Sequence, residues 1–429
     1  MRPEPRVLIY GAGREAKSIR RFLAETRPEL AVDVCADTGT PALPDTTTVP
    51  VAGLAEAFRT GRYAMVMRSA GVSIYKPEIE AAKAAGVPVG TNVNAWASHR
   101  RGHATVITVT GTKGKSTTAK LTHSMLVASE IDAGLGGNIG VPPLDLDPHA
   151  VVVLELSSYQ IADLELDPDI VGITNLYREH LDWHGSIDRY YADKLAILDR
   201  RGDYRLAVGP QAATHPAFQA KHVPPFRLLP SLSADFEDKL DDAVRASRLK
   251  GGHNRDNAVL AARLALAAGA TEQGVLAAVA AFEPLPHRLQ EFSFGGITFV
   301  DDSIATTPAA TLAAIDAYPL ARLALIAGGY DRGQDYEELV RRLDGSNVML
   351  LACLPATGER LAEVATRFAP AVEIVAAESL ESAMRQLRDR RNRFDTVLLS
   401  PGAPSFGQFR DFEERGDKFV EFAEFYFGR

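Results

Sequence analysis

One stretch limits the fold more than any other. The β-branched run Ala104-Thr105-Val106-Ile107-Thr108-Val109-Thr110 passes directly into Gly111-Thr112-Lys113-Gly114-Lys115-Ser116-Thr117, and a helix-like segment follows. A strand that hands over to a helix through a glycine turn is half of a βαβ unit, so the chain is committed to a parallel sheet covered by helices. The same turn is chemically loaded. Small residues let consecutive N–H groups curl around phosphate oxygens, and the helix N-terminus adds its partial positive charge. Lys115 can then reach the β- and γ-phosphates, and Ser116 or Thr117 can ligate Mg²⁺. The segment departs from G-x-x-x-x-G-K-[ST] in one place, because Val109 stands where the first glycine belongs. Gly111, Thr112, Lys113, Gly114, Lys115, Ser116 and Thr117 are therefore the candidate nucleotide-binding loop.

With 429 residues, such a unit is only part of the chain, and about three domains are expected. A content of 46% hydrophobic and 24% charged residues sets aside long disorder and fibrous repeats. The formal charge of −8 argues against nucleic acid as a partner, because that affinity depends on a net basic face. Anionic ligands must instead be met by local cations and backbone N–H groups. The two cysteines, Cys35 and Cys353, are far apart and support neither a disulfide framework nor a zinc site. The N-terminus lacks the basic and apolar regions of a signal peptide, and no apolar stretch approaches the ~20 residues needed to span a bilayer. A soluble cytoplasmic protein without membrane insertion is the expectation.

The strand-turn-helix pattern occurs first at the start of the chain. Val7-Leu8-Ile9-Tyr10 leads through Gly11-Ala12-Gly13 into a helix from about Arg14 to Glu25, and apolar runs follow at Leu30 to Cys35 and Tyr63 to Met67. Thr91 to Gly102 is polar and basic and reads as a linker. The second unit continues through Val151 to Leu156 and Ile170 to Asn175 into alanine-rich helices between about Asn254 and Ala281. Phe282-Glu283-Pro284-Leu285-Pro286 marks a boundary, after which Ile297 to Asp301, Leu323 to Ala327, Val348 to Cys353 and Val397 to Ser400 form another αβ series. The fold class is α/β in three domains: residues 1–98, Rossmann-like; 99–285, a central phosphate-loop domain; 286–429, a second Rossmann-like domain.

Outside the phosphate loop the signals are weaker taken singly. Gly11-x-Gly13-x-x-Ala16 with Asp37 matches a dinucleotide fingerprint, and glycines that merely turn a strand into a helix explain it nearly as well. Glu155 lies at the end of an apolar strand, where ligands of open α/β sheets gather, and is placed either to hold Mg²⁺ or to cap a helix. His180 and Lys194 would alone be ordinary surface residues. His287-Arg288, Asp301-Asp302-Ser303 and Gly328-Gly329-Tyr330-Asp331-Arg332 fall in loops beside strand ends, where turns attract Gly, Asp and Ser for conformational reasons.

Taken together, Gly111 to Thr117, Gly137-Asn138-Ile139-Gly140, Leu154-Glu155-Leu156-Ser157-Ser158, Glu179-His180-Leu181-Asp182, Gly252-His253-Asn254 with Asn257, and Pro286-His287-Arg288 resemble the Mur ligases, ATP-dependent amide-forming enzymes of peptidoglycan synthesis. The resemblance covers essentially the whole chain. Leu154 to Ser158 and Leu399-Ser400-Pro401 with Ser405, Phe406, Gln408, Phe409 and Phe412 are most similar to the branch that adds glutamate to UDP-N-acetylmuramoyl-L-alanine. The resemblance implies a UDP-binding first domain, a central ATPase and a C-terminal domain that binds glutamate and closes over ATP. It implies a monomer with a role in cell-wall synthesis and hence in cell shape and division. Lys115, Lys194 and His180 become catalytic candidates. Ser116, Glu155, His180 and Lys194 become candidate ligands for two Mg²⁺ ions, Lys194 as a carbamate formed with CO₂. Asn254, Asn257, Arg288 and Asp302 map to the ATP side. Arg14, Glu15 and Asp37 map to the uridine portion of the substrate, Asn138 to the metal or the muramoyl group, and Thr306, Arg332, Ser405 and Phe412 to the amino acid.

Two departures bear on that amino acid. Enzymes that use D-glutamate carry lysine in an Asp-Ser-Lys-Ala-Thr-Asn segment, whereas this chain reads Asp302-Ser303-Ile304-Ala305-Thr306-Thr307. Arg332 stands in place of another lysine, and its planar fork can grip a carboxylate with two bonds. The variant resembles the branch that uses L-glutamate, with D-glutamate as the alternative. A folylpolyglutamate synthetase-like ligase usually lacks the first domain. A dehydrogenase leaves Lys115, Glu155 and Lys194 unexplained, and a non-catalytic nucleotide sensor would keep ATP binding alone.

Overall fold

A computed structural model describes residues 6–37, 43–179, 181–200, 202–249, 251–283 and 286–428, with residues 181 and 182 as backbone only. The chain divides into two compact units, Met1–Ser247 with His253–Phe282, and Arg248–Gly252 with Glu283–Arg429.

The first unit holds two parallel sheets. In one, strands β1 (Arg6–Tyr10), β2 (Ala31–Cys35), β3 (Thr47–Thr48), β4 (Tyr63–Arg68) and β5 (Val89–Gly90) lie in the order β3-β2-β1-β4-β5. In the other, β6 (Thr105–Thr110), β7 (Ala133–Gly137), β8 (Val151–Glu155), β9 (Ile170–Ile173) and β10 (Arg205–Val208) lie in the order β10-β9-β6-β8-β7. Each order reverses at the strand that carries a glycine turn, and these reversals are where open sheets make ligand crevices. The helix Arg14–Thr26 buries Ala16, Ile19, Phe22 and Leu23, an apolar stripe at helical spacing, over the first sheet. Val106, Val152, Leu154, Val171, Ile173 and Leu206 form the core beneath the second.

The segment read as a linker is instead a helix, Asn92–His99, capped by the Thr91 hydroxyl. Its polar residues misled the sequence reading because they are buried and bonded across the two sheets' layers. Asn92 donates to Ser18 Oγ (2.9 Å) and accepts from the Leu144 N–H (3.0 Å). Asn94 donates to the Asp163 carbonyl (2.8 Å) and accepts from the Glu165 N–H (2.9 Å), while Val93 and Trp96 join the core. Buried amides cost little when fully paired. Arg68, fully buried at the end of β4, strengthens the same junction with two bonds to Asp163 (2.9 and 2.6 Å) and one to the Tyr159 carbonyl (2.9 Å).

The second unit is built on β11 (Gln290–Phe294), β12 (Ile297–Asp301), β13 (Leu323–Gly328), β14 (Val348–Leu354), β15 (Glu373–Ala376) and β16 (Thr396–Leu399), in the order β11-β12-β16-β13-β14-β15. Two of its strands, β11 and β15, lie outside the runs expected from the sequence, and β11 pairs antiparallel with β12. Gly295 and Gly296, at φ 56° and 79°, make the two-residue turn that such a hairpin requires. Apolar faces of Gly358–Phe368 and Leu380–Arg388 cover the sheet on its two sides.

Candidate active site

The phosphate loop leaves β6 at its C-terminal end. Gly111 has φ 134°, and a Cβ there would lie 1.9 Å from Thr174 Oγ1, so only glycine fits against β9. Gly114, at φ 79°, caps the helix Lys115–Ala128; a Cβ on it would lie 2.4 Å from Asn257 Oδ1. Asn257 donates to Asn254 Oδ1 (3.1 Å), and both are buried on the helix Gly252–Ala267. The residues after β9 fix the loop from the other side. The Lys113 carbonyl accepts from Thr174 Oγ1 (2.6 Å) and Asn175 Nδ2 (3.0 Å), and the Lys113 N–H donates to Asn175 Oδ1 (2.7 Å). Thr112 Oγ1 lies 2.8 Å from the buried Tyr190 hydroxyl. Thr174, Asn175 and Tyr190 escaped the sequence reading because their partners are more than sixty residues away, with no local motif to mark them.

Cations gather on this loop. Lys115 Nζ donates to the Thr112 carbonyl (2.9 Å), and Lys113 pairs with Glu179. Lys194, 2% exposed, donates to the Gly111 carbonyl (2.6 Å). Burial, reinforced by the nearby positive charge of Lys115, holds its ammonium pKa well below the ordinary lysine value against the opposing pull of Glu179 and Glu155.

Glu155 ends β8 and is 1% exposed. Its Oε1 accepts from Asn138 Nδ2 (3.0 Å), whereas its Oε2 is buried with no hydrogen-bond partner among the described residues. A carboxylate oxygen left in that state is costly unless a cation or a donor meets it, so this donor fits a hard divalent ion. Ser116 is half-buried in the first turn of the loop's helix. His180 lies outside the described residues. No cluster of three or more His, Cys, Asp or Glu able to hold a metal ion occurs among the described residues.

At the first glycine turn the acids are already engaged. Glu15 accepts from the Ala70 N–H (2.6 Å) and from Gln160 Nε2 (3.0 Å). Asp37 accepts from the Tyr10 hydroxyl (2.6 Å) and Lys76 Nζ (2.8 Å). Arg14 is exposed, with its guanidinium 3.5 Å from the Gly140 carbonyl.

In the second unit, Asp302 follows β12 and accepts from Ser400 Oγ (2.8 Å); burial pushes its carboxyl up to about 7. Arg288 Nε is buried without a hydrogen-bond partner among the described residues. Ser405 lines a cavity of about 210 Å³ with Gly328, Tyr330, Phe406 and Arg415. Arg415 donates to the Ser303 hydroxyl and to the Ser303 and Ala403 carbonyls. The Arg332 guanidinium lies 5.6 Å over the Phe406 ring, and Arg360 fixes its loop through two 2.9 Å bonds to Asp331. Phe412, half-buried, opens the helix Phe412–Phe427, its carbonyl accepting from Ser303 Oγ (2.8 Å), and Thr306 is exposed.

A phosphate loop crowded by three lysines, with a buried carboxylate at the next strand end, defines a nucleotide-dependent ligase more closely than a simple nucleotide carrier. Residues 109–229 match the Mur ligase middle domain, and residues 287–402 match the Mur ligase glutamate ligase domain. The chain is 36% identical, over 97% of its length and 95% of the relative's, to UDP-N-acetylmuramoyl-L-alanine--L-glutamate ligase of Micromonospora sp.. It is 35% identical to UDP-N-acetylmuramoylalanine--D-glutamate ligase of Novosphingobium aromaticivorans, over 84% of this chain and 82% of that one. MurF from Acinetobacter baumannii shares the fold, with TM-score 0.60 at 16% identity over 98% of this chain and 91% of that chain. The chain belongs to the Mur ligase family. No helix among the described residues is long and apolar enough to cross a membrane.

Proposed function

We propose that the chain joins L-glutamate to UDP-N-acetylmuramoyl-L-alanine with hydrolysis of ATP to ADP and phosphate, as a cytoplasmic step of peptidoglycan synthesis. The observation that carries this reading is Lys194, buried with its amine 2.6 Å from a carbonyl of the phosphate loop. A lysine in that position has a chemical use. Its neutral amine adds to CO₂, an N–C bond forms, one proton leaves, and a carbamate anion remains. That anion, the free oxygen of Glu155 and the Ser116 hydroxyl would hold magnesium, with His180 as a further ligand. Bound there, the metal neutralises charge on the phosphate oxygens.

The chain's own groups do the positioning. Lys115 and the N-terminus of Lys115–Ala128 orient the triphosphate, while Asn254, Asn257, Arg288 and Asp302 serve the nucleotide. The substrate carboxylate oxygen attacks the γ-phosphorus and ADP departs. The resulting acyl phosphate is attacked at carbon by the glutamate amine, the C–O bond breaks, and phosphate and a proton leave. Residues 1–98, with Arg14, Glu15 and Asp37, hold the uridine portion, and Asn138 meets the muramoyl group. Residues 99–285 hold ATP. Residues 286–429 take glutamate at Thr306, Arg332, Ser405 and Phe412. Ile304 and Arg332, together with the L-glutamate relatives, favour the L isomer. The D-glutamate relative makes the other isomer the second reading.

Purified protein with Mg²⁺, ATP and UDP-N-acetylmuramoyl-L-alanine should release phosphate with L-glutamate and far more slowly with D-glutamate. Faster release with D-glutamate reverses the stereochemical reading, and release that ignores the uridine substrate rejects the function.

A further inference from the structure

A second array of polar side chains lies behind Lys194 and is absent from the chemistry above. Ser158 Oγ is 2.9 Å from His184 Nε2, and His184 Nδ1 is 2.6 Å from Asp193 Oδ2. Asp193 also accepts from the Tyr75 hydroxyl at both oxygens, 2.7 and 2.9 Å. Ser158 is 1% exposed and His184 fully buried. Trp183 stacks on Tyr159 at 4.6 Å, and Tyr190 meets the imidazole edge-on at 5.3 Å. The sequence of contacts is that of a serine nucleophile with its base and orienting acid, but no acyl group can reach a serine this enclosed. Such an array can only hold things in place.

What it holds is informative. Ser158 is three residues beyond Glu155 and opens the short helix Ser158–Ile161. Asp193 adjoins Lys194 in the last turn of the helix Ile187–Leu195. Tyr75 comes from the loop after β4, at the ligand end of the first sheet, and the same loop donates from Ser73 Oγ to the Trp183 carbonyl (3.0 Å). With Nδ1–H donated to Asp193, Nε2 is left to accept the Ser158 hydroxyl, so the imidazole bridges two elements in one orientation. The array thus ties the end of the Glu155 strand to the helix that carries Lys194, and anchors both to the first sheet.

We infer that Ser158, His184, Asp193 and Tyr75 form a positioning device that sets Lys194 against the phosphate loop in register with Glu155. The inference rests on the reading of Lys194 given above. Outer hydrogen-bond partners of this kind commonly change activity about 10- to 100-fold when removed, through the chemical step rather than substrate binding.

The test uses the full chain, with His184→Gln and Tyr75→Phe beside wild type. Thermal melting confirms that each is folded. The more exposed Tyr75 gives a milder variant if His184→Gln does not fold. Steady-state kinetics and ¹³C NMR of protein titrated with ¹³C-bicarbonate are then compared. We expect kcat to fall about 10-fold in Tyr75→Phe and about 100-fold in His184→Gln. KM for ATP and for the uridine substrate should stay within about two-fold, and half-maximal carbamate labelling should require more bicarbonate than in wild type. Folded variants that match an active wild type in kcat and labelling overturn the inference. A wild-type chain that neither forms ADP nor takes up label overturns the ligase reading itself, which is a different failure.

Discussion

The two glycine turns of the first unit share one backbone grammar and differ in what their side chains are left to do. Gly11 and Gly111 both follow a central strand, both have φ near 130°, and both lie where a Cβ would strike a hydroxyl, of Ser69 at 2.3 Å and Thr174 at 1.9 Å. Around Gly11 the acids are spent on the protein itself, Glu15 on Ala70 and Gln160, Asp37 on Tyr10 and Lys76. Around Gly111, Lys115 and Lys194 donate to loop carbonyls, Lys113 pairs with Glu179, and Glu155 keeps one buried oxygen without a hydrogen-bond partner among the described residues. A turn whose polar groups are satisfied internally can recognise a ligand by shape. A turn beside a buried carboxylate oxygen with no hydrogen-bond partner among the described residues is prepared for a cation and for the charge a substrate develops there.

The largest break in that comparison should come from Lys115→Ala. Turnover should fall about 10³-fold, while calorimetric affinity for the uridine substrate is unchanged; equal losses would merge the two turns' roles. Glu155→Gln should lower kcat about 10²-fold without lowering Tm, because the oxygen it alters has no partner to lose. A marked fall in Tm would make Glu155 a structural residue. Gly11→Ala sharpens the contrast from the other side. Forcing a Cβ into a left-handed position against Ser69 costs about 1–3 kcal/mol locally; it should raise KM for the uridine substrate and leave kcat close to wild type.

The smallest effect concerns Asp37. Burial opposes its ionisation, but the Lys76 ammonium and the Tyr10 hydroxyl more than offset this and hold its pKa below the usual carboxylate value. A carboxylate depressed in this way stabilises the fold above the unfolded pKa of about 4, and that contribution is lost as pH falls through the folded value. Because the pair is partly exposed, Asp37→Asn should cost under about 1 kcal/mol at pH 7. The difference from wild type should close below about pH 4, as read by denaturant melts across pH.

How much of this was legible in the sequence follows the range of the interactions. The phosphate loop, the strands and the glycine turns are written in runs of under twenty residues, where alternation, glycine and lysine carry the information. The helix Asn92–His99 was not legible, because buried asparagines paired across two layers look like a polar linker when their partners are unseen. The antiparallel β11 could have been found from Gly295-Gly296 between two aromatic-rich runs. The His184 array had no local signal at all. His184 lies 26 residues from Ser158 and 9 from Asp193 with no motif to link them, Tyr75 lies 118 residues from Asp193, and only folding shows that the four meet beside Lys194.

The central claim is that the second turn activates a carboxylate by moving a phosphoryl group onto it. The direct measurement supplies UDP-N-acetylmuramoyl-L-alanine labelled with ¹⁸O in its carboxylate, together with ATP, Mg²⁺ and L-glutamate, and follows the label by mass spectrometry of the released phosphate. One labelled oxygen should appear in each phosphate formed, because the attacking carboxylate oxygen departs with it. Phosphate that carries no label while the amide product accumulates would contradict the claim.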